Sequence, residues 1–124
     1  MSNVRRILII DDDDELRESL SEQLTLHEEF ETALAASASE GLKQARNCHV
    51  DLVLLDVGLP DLDGREACKL LRRGGFKGPI VMLTAQVSDA DTILGLESGA
   101  NDYVTKPVDT DELLGCMERW LSRE

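Results

Sequence analysis

Asp11, Asp12, Asp56, Thr84 and Lys106 each stand where a short apolar run gives way to polar residues, although nearly the whole 124-residue chain separates the first from the last. Brought together, they make a kit for phosphoryl transfer. An ionised carboxylate can attack phosphorus directly and form an acyl phosphate, so no separate general base is needed. Catalysis then rests on positioning and charge neutralisation, for which one metal ion, one ammonium and one hydroxyl suffice. In this assignment Asp56 attacks, Lys106 neutralises a phosphoryl oxygen and Thr84 donates a hydrogen bond. Converging Asp11, Asp12 and Asp56 would repel one another by about 4 kcal/mol per pair at ~4 Å and an effective dielectric of ~20. An oxygen-only donor set without His or Cys selects a hard cation to offset that cost, and Mg2+ suits because it accepts a few carboxylates and keeps several waters.

Each residue alone has a plainer reading. Asp11 to Asp14 could be an acidic cap on a helix, Asp56 could cap the loop after it, Thr84 could end a strand, and Lys106 before Pro107 could be a turn lysine. Their joint placement is what favours a site. His27 and His49 fall at a helix end or in a loop and read as surface residues, and Trp120 reads as packing for the last helix.

The elements that must position the five residues are legible as alternating periodicities. Ile7 to Ile10, Val53 to Leu55 and Ile80 to Leu83 are continuous apolar runs, as expected of strands covered on both faces of a parallel sheet. Phe30 to Ala35 and Asp102 to Val104 are weaker and read as strands nearer the edges. Between them Leu16, Leu20 and Leu24 recur at helical spacing, as do Leu42 with Ala45, Ala67 with Leu70 and Leu71, Ile93 with Leu96, and Leu113 through Leu121. Ser37 with Glu40 and Asp109 with Glu112 have capping-box spacing, Ser88 can cap the helix carrying Ile93, and Gly74-Gly75, Gly78-Pro79 and Gly99 fall where helices should stop. The pattern predicts an α/β fold: a doubly wound, flavodoxin-like five-stranded parallel sheet flanked by five helices, (βα)5, with right-handed crossovers. Working residues of such folds gather beyond the carboxyl ends of the strands, where all five candidates lie.

Bulk properties narrow the partners. A formal charge of −12 opposes binding to nucleic acid and to anionic membrane, so a DNA-directed activity would have to lie outside this chain. Length and composition, 42% hydrophobic and 31% charged, fit one globular domain over residues 1–124. Cys48, Cys68 and Cys116 are odd in number, widely spaced and without metal-ligand spacing, which reads as free thiols in a reducing compartment. The apolar run after Arg6 is too short for a signal peptide or membrane span, and the cytoplasm is the expected location.

The ordered set of motifs resembles the receiver domains of two-component response regulators over essentially the whole chain. It comprises Ile9-Ile10-Asp11-Asp12-Asp13, Leu54 to Gly64 with Asp56 and Gly58, Met82-Leu83-Thr84-Ala85, and Gly99 through Pro107. The resemblance implies that Asp56 accepts a phosphoryl group from a sensor histidine kinase or phosphotransfer protein and switches conformation to control an output. It implies that Asp12, Asp56 and the Gly58 carbonyl ligate Mg2+ directly, with Asp11 acting largely through water. Thr84 and Tyr103 are similar to the family's switch pair, Ala85 to the small residue that admits the donor, and the bond between Lys106 and Pro107 is commonly cis. Gly58 and Gln86 occupy positions that influence how fast the acyl phosphate hydrolyses. Three departures stand out: Val108 replaces a usual aromatic, Cys116 stands where one subfamily carries an Arg, and Thr92 stands where a basic residue is expected. The last two weigh against that subfamily's phosphorylation-dependent homodimer through the fourth and fifth helices, and the oligomeric state stays open. So does whether a C-terminal output domain follows; the acidic segment from Asp89 to Glu112 suits a basic partner surface.

Two other function classes use similar residues. A haloacid-dehalogenase-type phosphohydrolase needs its nucleophile on the first strand with a second Asp two residues on, which Asp11 and Asp13 mimic, but also a cap insertion that this chain lacks. A pseudo-receiver would act only as an interaction module, against which the intact Asp12, Asp56, Thr84 and Lys106 set argues.

Overall fold

The computed structural model describes residues 4–85 and 96–122. Five strands, β1 (Arg5–Ile10), β2 (Phe30–Ala35), β3 (Leu52–Asp56), β4 (Ile80–Thr84) and β5 (Asp102–Thr105), form one parallel sheet in the order β2-β1-β3-β4-β5. The two weaker runs of the sequence are indeed its edges. Helices α1 (Asp14–Thr25), α2 (Ala38–Asn47), α3 (Gly64–Arg73) and α4 (Thr110–Leu121) connect or flank the strands. Ser88 and Ile93 of the remaining expected helix lie outside the described residues, which resume with helical Leu96 and Glu97. The last expected helix is thus α4 here. None of the described helices is long and apolar enough to cross a membrane.

Strand periodicity explains the layering. Successive side chains alternate faces, so Ile7, Ile9, Leu52, Leu54, Val81 and Leu83 pack with Leu20 and Leu24 of α1 and with Leu113 and Met117 of α4. The intervening Leu8, Ile10, Val53, Leu55, Ile80 and Met82 pack on the other face with Ala38 of α2 and Ala67, Cys68 and Leu71 of α3. Between their polar ends the three central strands therefore need apolar residues on both faces, which is why they read as unbroken runs. Val108, the small residue where an aromatic was expected, is partly buried against the first of these clusters, together with Leu114 and Trp120.

Helix starts follow the expected chemistry with one change of partner. Ser37 accepts from the Glu40 amide, but the Glu40 carboxylate reaches back to the Ala36 amide rather than closing the box on Ser37. Asp109 accepts from the Asp111 and Glu112 amides at the start of α4. Gly74 ends α3 and Gly99 adopts a left-handed φ of 110°, whereas Gly78-Pro79 sits in the loop leading into β4 and stops no helix. Of the free cysteines, Cys68 and Cys116 are buried, and Cys48 is exposed at the end of α2.

Candidate functional site

The strand order reverses direction between β1 and β3, and ligand crevices in doubly wound sheets open at that point. Asp11 and Asp12 follow β1, Asp56 ends β3 and Thr84 ends β4. Lys106 follows β5, its amide donating to the Thr84 carbonyl at 2.8 Å. Asp11, Asp12, Asp56, Gly58, Thr84, Ala85 and Lys106 line one cleft, so the structure brings together the residues that the spacing nominated. Gln86 and Thr92 lie outside the described residues.

Burial makes the site electrostatically expensive. Asp11 is fully buried and Asp56 only 6% exposed, while Asp12 faces solvent. One carboxylate oxygen from each lies within 4.8 Å of the others. At that spacing each pair repels by about 3 kcal/mol at an effective dielectric of ~20. Lys106 Nζ stands 3.0 Å from both Asp11 Oδ2 and Asp56 Oδ1. Burial raises the Asp56 carboxyl above the ordinary carboxylate range and the Asp11 charge adds to that, while the hydrogen bond from Lys106 works against it. For Lys106 burial acts to lower the ammonium, but Asp11 and Asp56 outweigh it and leave it raised.

The donor set fits a divalent cation. Three carboxylates facing one ammonium give these four groups a formal charge of −2, and Asp13 also lines the cleft. Asp11 Oδ2 is buried, and its one partner among the described residues is the Lys106 ammonium at 3.0 Å, which it shares with Asp56. A buried carboxylate oxygen left that way is costly, and a cation coordinated by oxygens would satisfy it.

The loops that carry these groups are tightly held. Asp11 receives the Asp13 amide on Oδ1 at 2.9 Å, and its own amide donates to Ala35 at 3.1 Å. The Gly58 amide donates to Asp56 Oδ1 at 3.3 Å, and among the described residues no atom lies within 4 Å of the space a Gly58 Cβ would fill. Gly64 is there for the opposite reason: a Cβ would sit 2.3 Å from the Asp56 carbonyl oxygen, so only glycine lets α3 approach the end of β3 this closely. Asp61, in the same loop, accepts from the Ala38 and Ser39 amides at the start of α2. Tyr103 is 37% exposed on edge strand β5, and the Lys106–Pro107 peptide is cis.

Four polar anchors escaped the sequence: Arg17, Asp61, Arg72 and Asp102. The last accepts from Trp120 Nε1 at 3.0 Å as well as from Cys116 and Arg119, tying β5 to α4, so Trp120 does more than pack. Burial, and after it the Asp102 carboxylate, pushes the Cys116 thiol up to about 12. His27 packs edge-on to Phe30, and the exposed His49 pairs with Asp51, in keeping with surface roles.

Comparison with known proteins agrees with the fold. A family model described as the response regulator receiver domain matches residues 7–118. The transcriptional regulatory protein AfsQ1 of Streptomyces coelicolor is 48% identical over 102 residues, covering 82% of this chain and 44% of that protein. The DNA-binding response regulator MtrA of Mycolicibacterium smegmatis is 44% identical over 119 residues, covering 96% and 51%. The chain thus spans about half the length of these relatives. A two-component response regulator from Clostridium difficile superimposes with a TM-score of 0.91 at 30% identity, covering 96% of this chain and 97% of that one. With the flavodoxin-like strand order and the acidic cleft at its reversal point, these likenesses establish that the chain belongs to the response regulator receiver domain family.

Proposed function

We propose that residues 1–124 form a single receiver domain whose phosphoacceptor is Asp56, working with Mg2+ in the acidic cleft. The reading is carried by one observation: Asp56 is a buried carboxylate at the end of β3 whose Oδ1 is held 3.0 Å from an ammonium, in a cleft shared with two further carboxylates. The phosphoryl donor is a phosphohistidine on a sensor histidine kinase or phosphotransfer protein. An Asp56 oxygen forms the new bond to phosphorus as the P–N bond breaks, and the imidazole leaves with the bonding pair. Lys106 neutralises a phosphoryl oxygen, Thr84 donates its hydroxyl to another, and Asp11, Asp12, Asp56 and the Gly58 carbonyl would hold the cation. Mg2+, when bound, supplies charge neutralisation and orientation of the phosphoryl oxygens.

The new charge on Asp56 biases a two-state equilibrium through Thr84 and Tyr103, and so controls an output domain or target protein. The chain assists its own phosphorylation and dephosphorylation, acts in the cytoplasm and does not itself bind nucleic acid. The phosphohydrolase reading loses support because Asp13, which would have to act beside Asp11, caps α1 by accepting from the Leu16 amide.

Incubation with a small phosphodonor and Mg2+, followed by intact-mass measurement, tests the assignment. One added phosphate, acid-stable, alkali-labile and absent from Asp56→Asn, is expected. Labelling retained in Asp56→Asn would move the nucleophile to the end of β1 and overturn it; no labelling with any donor would favour a pseudo-receiver.

A further inference from the structure

We propose that Arg17 is a positioning residue for the cation site, acting through the backbone of Asp11; this rests on the reading of the acidic cleft as a Mg2+ site. Arg17 lies in α1 with its side chain 14% exposed. Its Nη1 donates to the Asp11 carbonyl oxygen at 2.7 Å, and its Nη2 bonds the Asp14 carboxylate. Asp11 is therefore held at each of its other polar atoms: its amide by Ala35, its Oδ1 by the Asp13 amide and its carbonyl by Arg17. Oδ2, beside Lys106, is the atom left for the cleft.

The physical consequence concerns Asp12 as much as Asp11. The Asp11 carbonyl belongs to the planar peptide unit that joins the two residues. Holding that oxygen restrains the plane, and with it the positions of the Asp12 nitrogen and Cα from which its side chain departs. Mg2+ demands near-ideal octahedral geometry, whereas Ca2+ tolerates irregular and higher coordination. A turn held at this carbonyl therefore discriminates between the two ions as well as binding them.

Charge and position predict opposite signs. If Arg17 were only a nearby positive charge, its removal would strengthen binding of any cation. If it positions the turn, its removal weakens Mg2+ binding and narrows the preference over Ca2+. The experiment is calorimetric titration of the chain with Mg2+ and, separately, with Ca2+, for wild type, Arg17→Met and Arg17→Lys, with thermal melting of each. Arg17→Met, which keeps the apolar stem, is expected to lose about tenfold in Mg2+ affinity, as is usual when a group orienting a metal ligand is removed, and to lose less for Ca2+. Arg17→Lys, which retains one donor and the charge, is expected to fall between. Tighter or unchanged Mg2+ binding in Arg17→Met overturns the proposal, as does an equal loss for both ions. Should Arg17→Met fail to fold, Arg17→Lys decides by whether the Mg2+ preference narrows at constant charge. Wild type that binds neither ion would instead overturn the reading of the cleft.

Discussion

At the carboxyl ends of the strands, Asp11, Asp12 and Asp56 face one ammonium among the described residues, and the buried Oδ2 of Asp11 has only that Lys106 ammonium, at 3.0 Å, as a partner. At the amino ends of β4 and β5, Arg72 presents the reverse. Its five N–H groups all find acceptors: the Gly99 carbonyl twice, the Phe76 and Gly78 carbonyls, and Asn101 Oδ1. Asn101 Oδ1 also accepts from the Ile80 amide, and the guanidinium lies over the Phe76 ring. Both ends hold partly or fully buried charge. One is saturated by neutral dipoles and needs nothing further; the other is left short of positive charge, and only that one has chemistry open to it. Saturation, rather than burial or charge, separates a structural polar node from a working one in this fold.

The largest expected effect comes from breaking the saturated node. Arg72→Met would strand the Phe76, Gly78 and Gly99 carbonyls, leave Asn101 Oδ1 with the Ile80 amide alone, and release α3 from the turn before β5. A loss of about 3 kcal/mol is expected, within the range for disrupting a buried hydrogen-bond network. Urea unfolding measures it. The comparison adds a second condition: Mg2+ affinity of the folded variant should be unchanged, because the node lies at the far end of β4 from Thr84. A variant that kept its stability but lost Mg2+ binding would mean that the two ends are coupled.

Breaking the unsaturated node should have the opposite sign. The Asp56 carboxyl is raised by burial and by Asp11, so its ionised form is less favourable in the folded chain than in the unfolded one, and at neutral pH it subtracts from stability. Asp56→Asn removes that charge while Lys106 keeps Asp11 at 3.0 Å. The metal-free variant should melt a few degrees above metal-free wild type. Saturating Mg2+ should reverse the order, because binding stabilises the folded wild type. Lower melting of metal-free Asp56→Asn would show that the Lys106 pair outweighs burial and repulsion.

Much of this fold is legible in the sequence because it depends on pattern. The central strands must be apolar on both faces, and their runs show it; the edge strands are half-covered and read weakly for the same reason. The cleft was legible because its members are chemically unusual at strand ends, though only as a set. Arg17, Asp61 and Arg72 were not, because their partners include backbone carbonyls or amides, which every residue carries. Nothing in the composition marks which carbonyl an arginine will find 27 residues away at Gly99. Glu40 marks the same boundary: its spacing from Ser37 announced a box, but the choice of the Ala36 amide was set by three-dimensional placement.

The smallest effect belongs to Asp61, which lies between the two regimes, exposed yet fully engaged. It accepts from the amides of Ala38 and Ser39 at 2.9 and 3.0 Å, while Ser37 takes the amides of Glu40 and Gly41 through its hydroxyl and carbonyl oxygens. The Gly41 bond is the first within the helix, and the three amides before it, of Ala38, Ser39 and Glu40, are thereby met, two of them from the loop that follows Asp56. The hydrogen bonds from Ser39 and Ala38 lower the Asp61 carboxyl below the ordinary value. A lowered carboxyl contributes stability above its unfolded value and loses it as pH falls through the folded one. Asp61→Ala should therefore destabilise the chain slightly at neutral pH, with faster hydrogen exchange at the Ala38 and Ser39 amides. The gap from wild type should stay constant down to about pH 4 and close only below it. A gap closing nearer neutrality would assign the effect to another group, and unchanged exchange at both amides would show that the backbone of α2, rather than Asp61, holds its first turn.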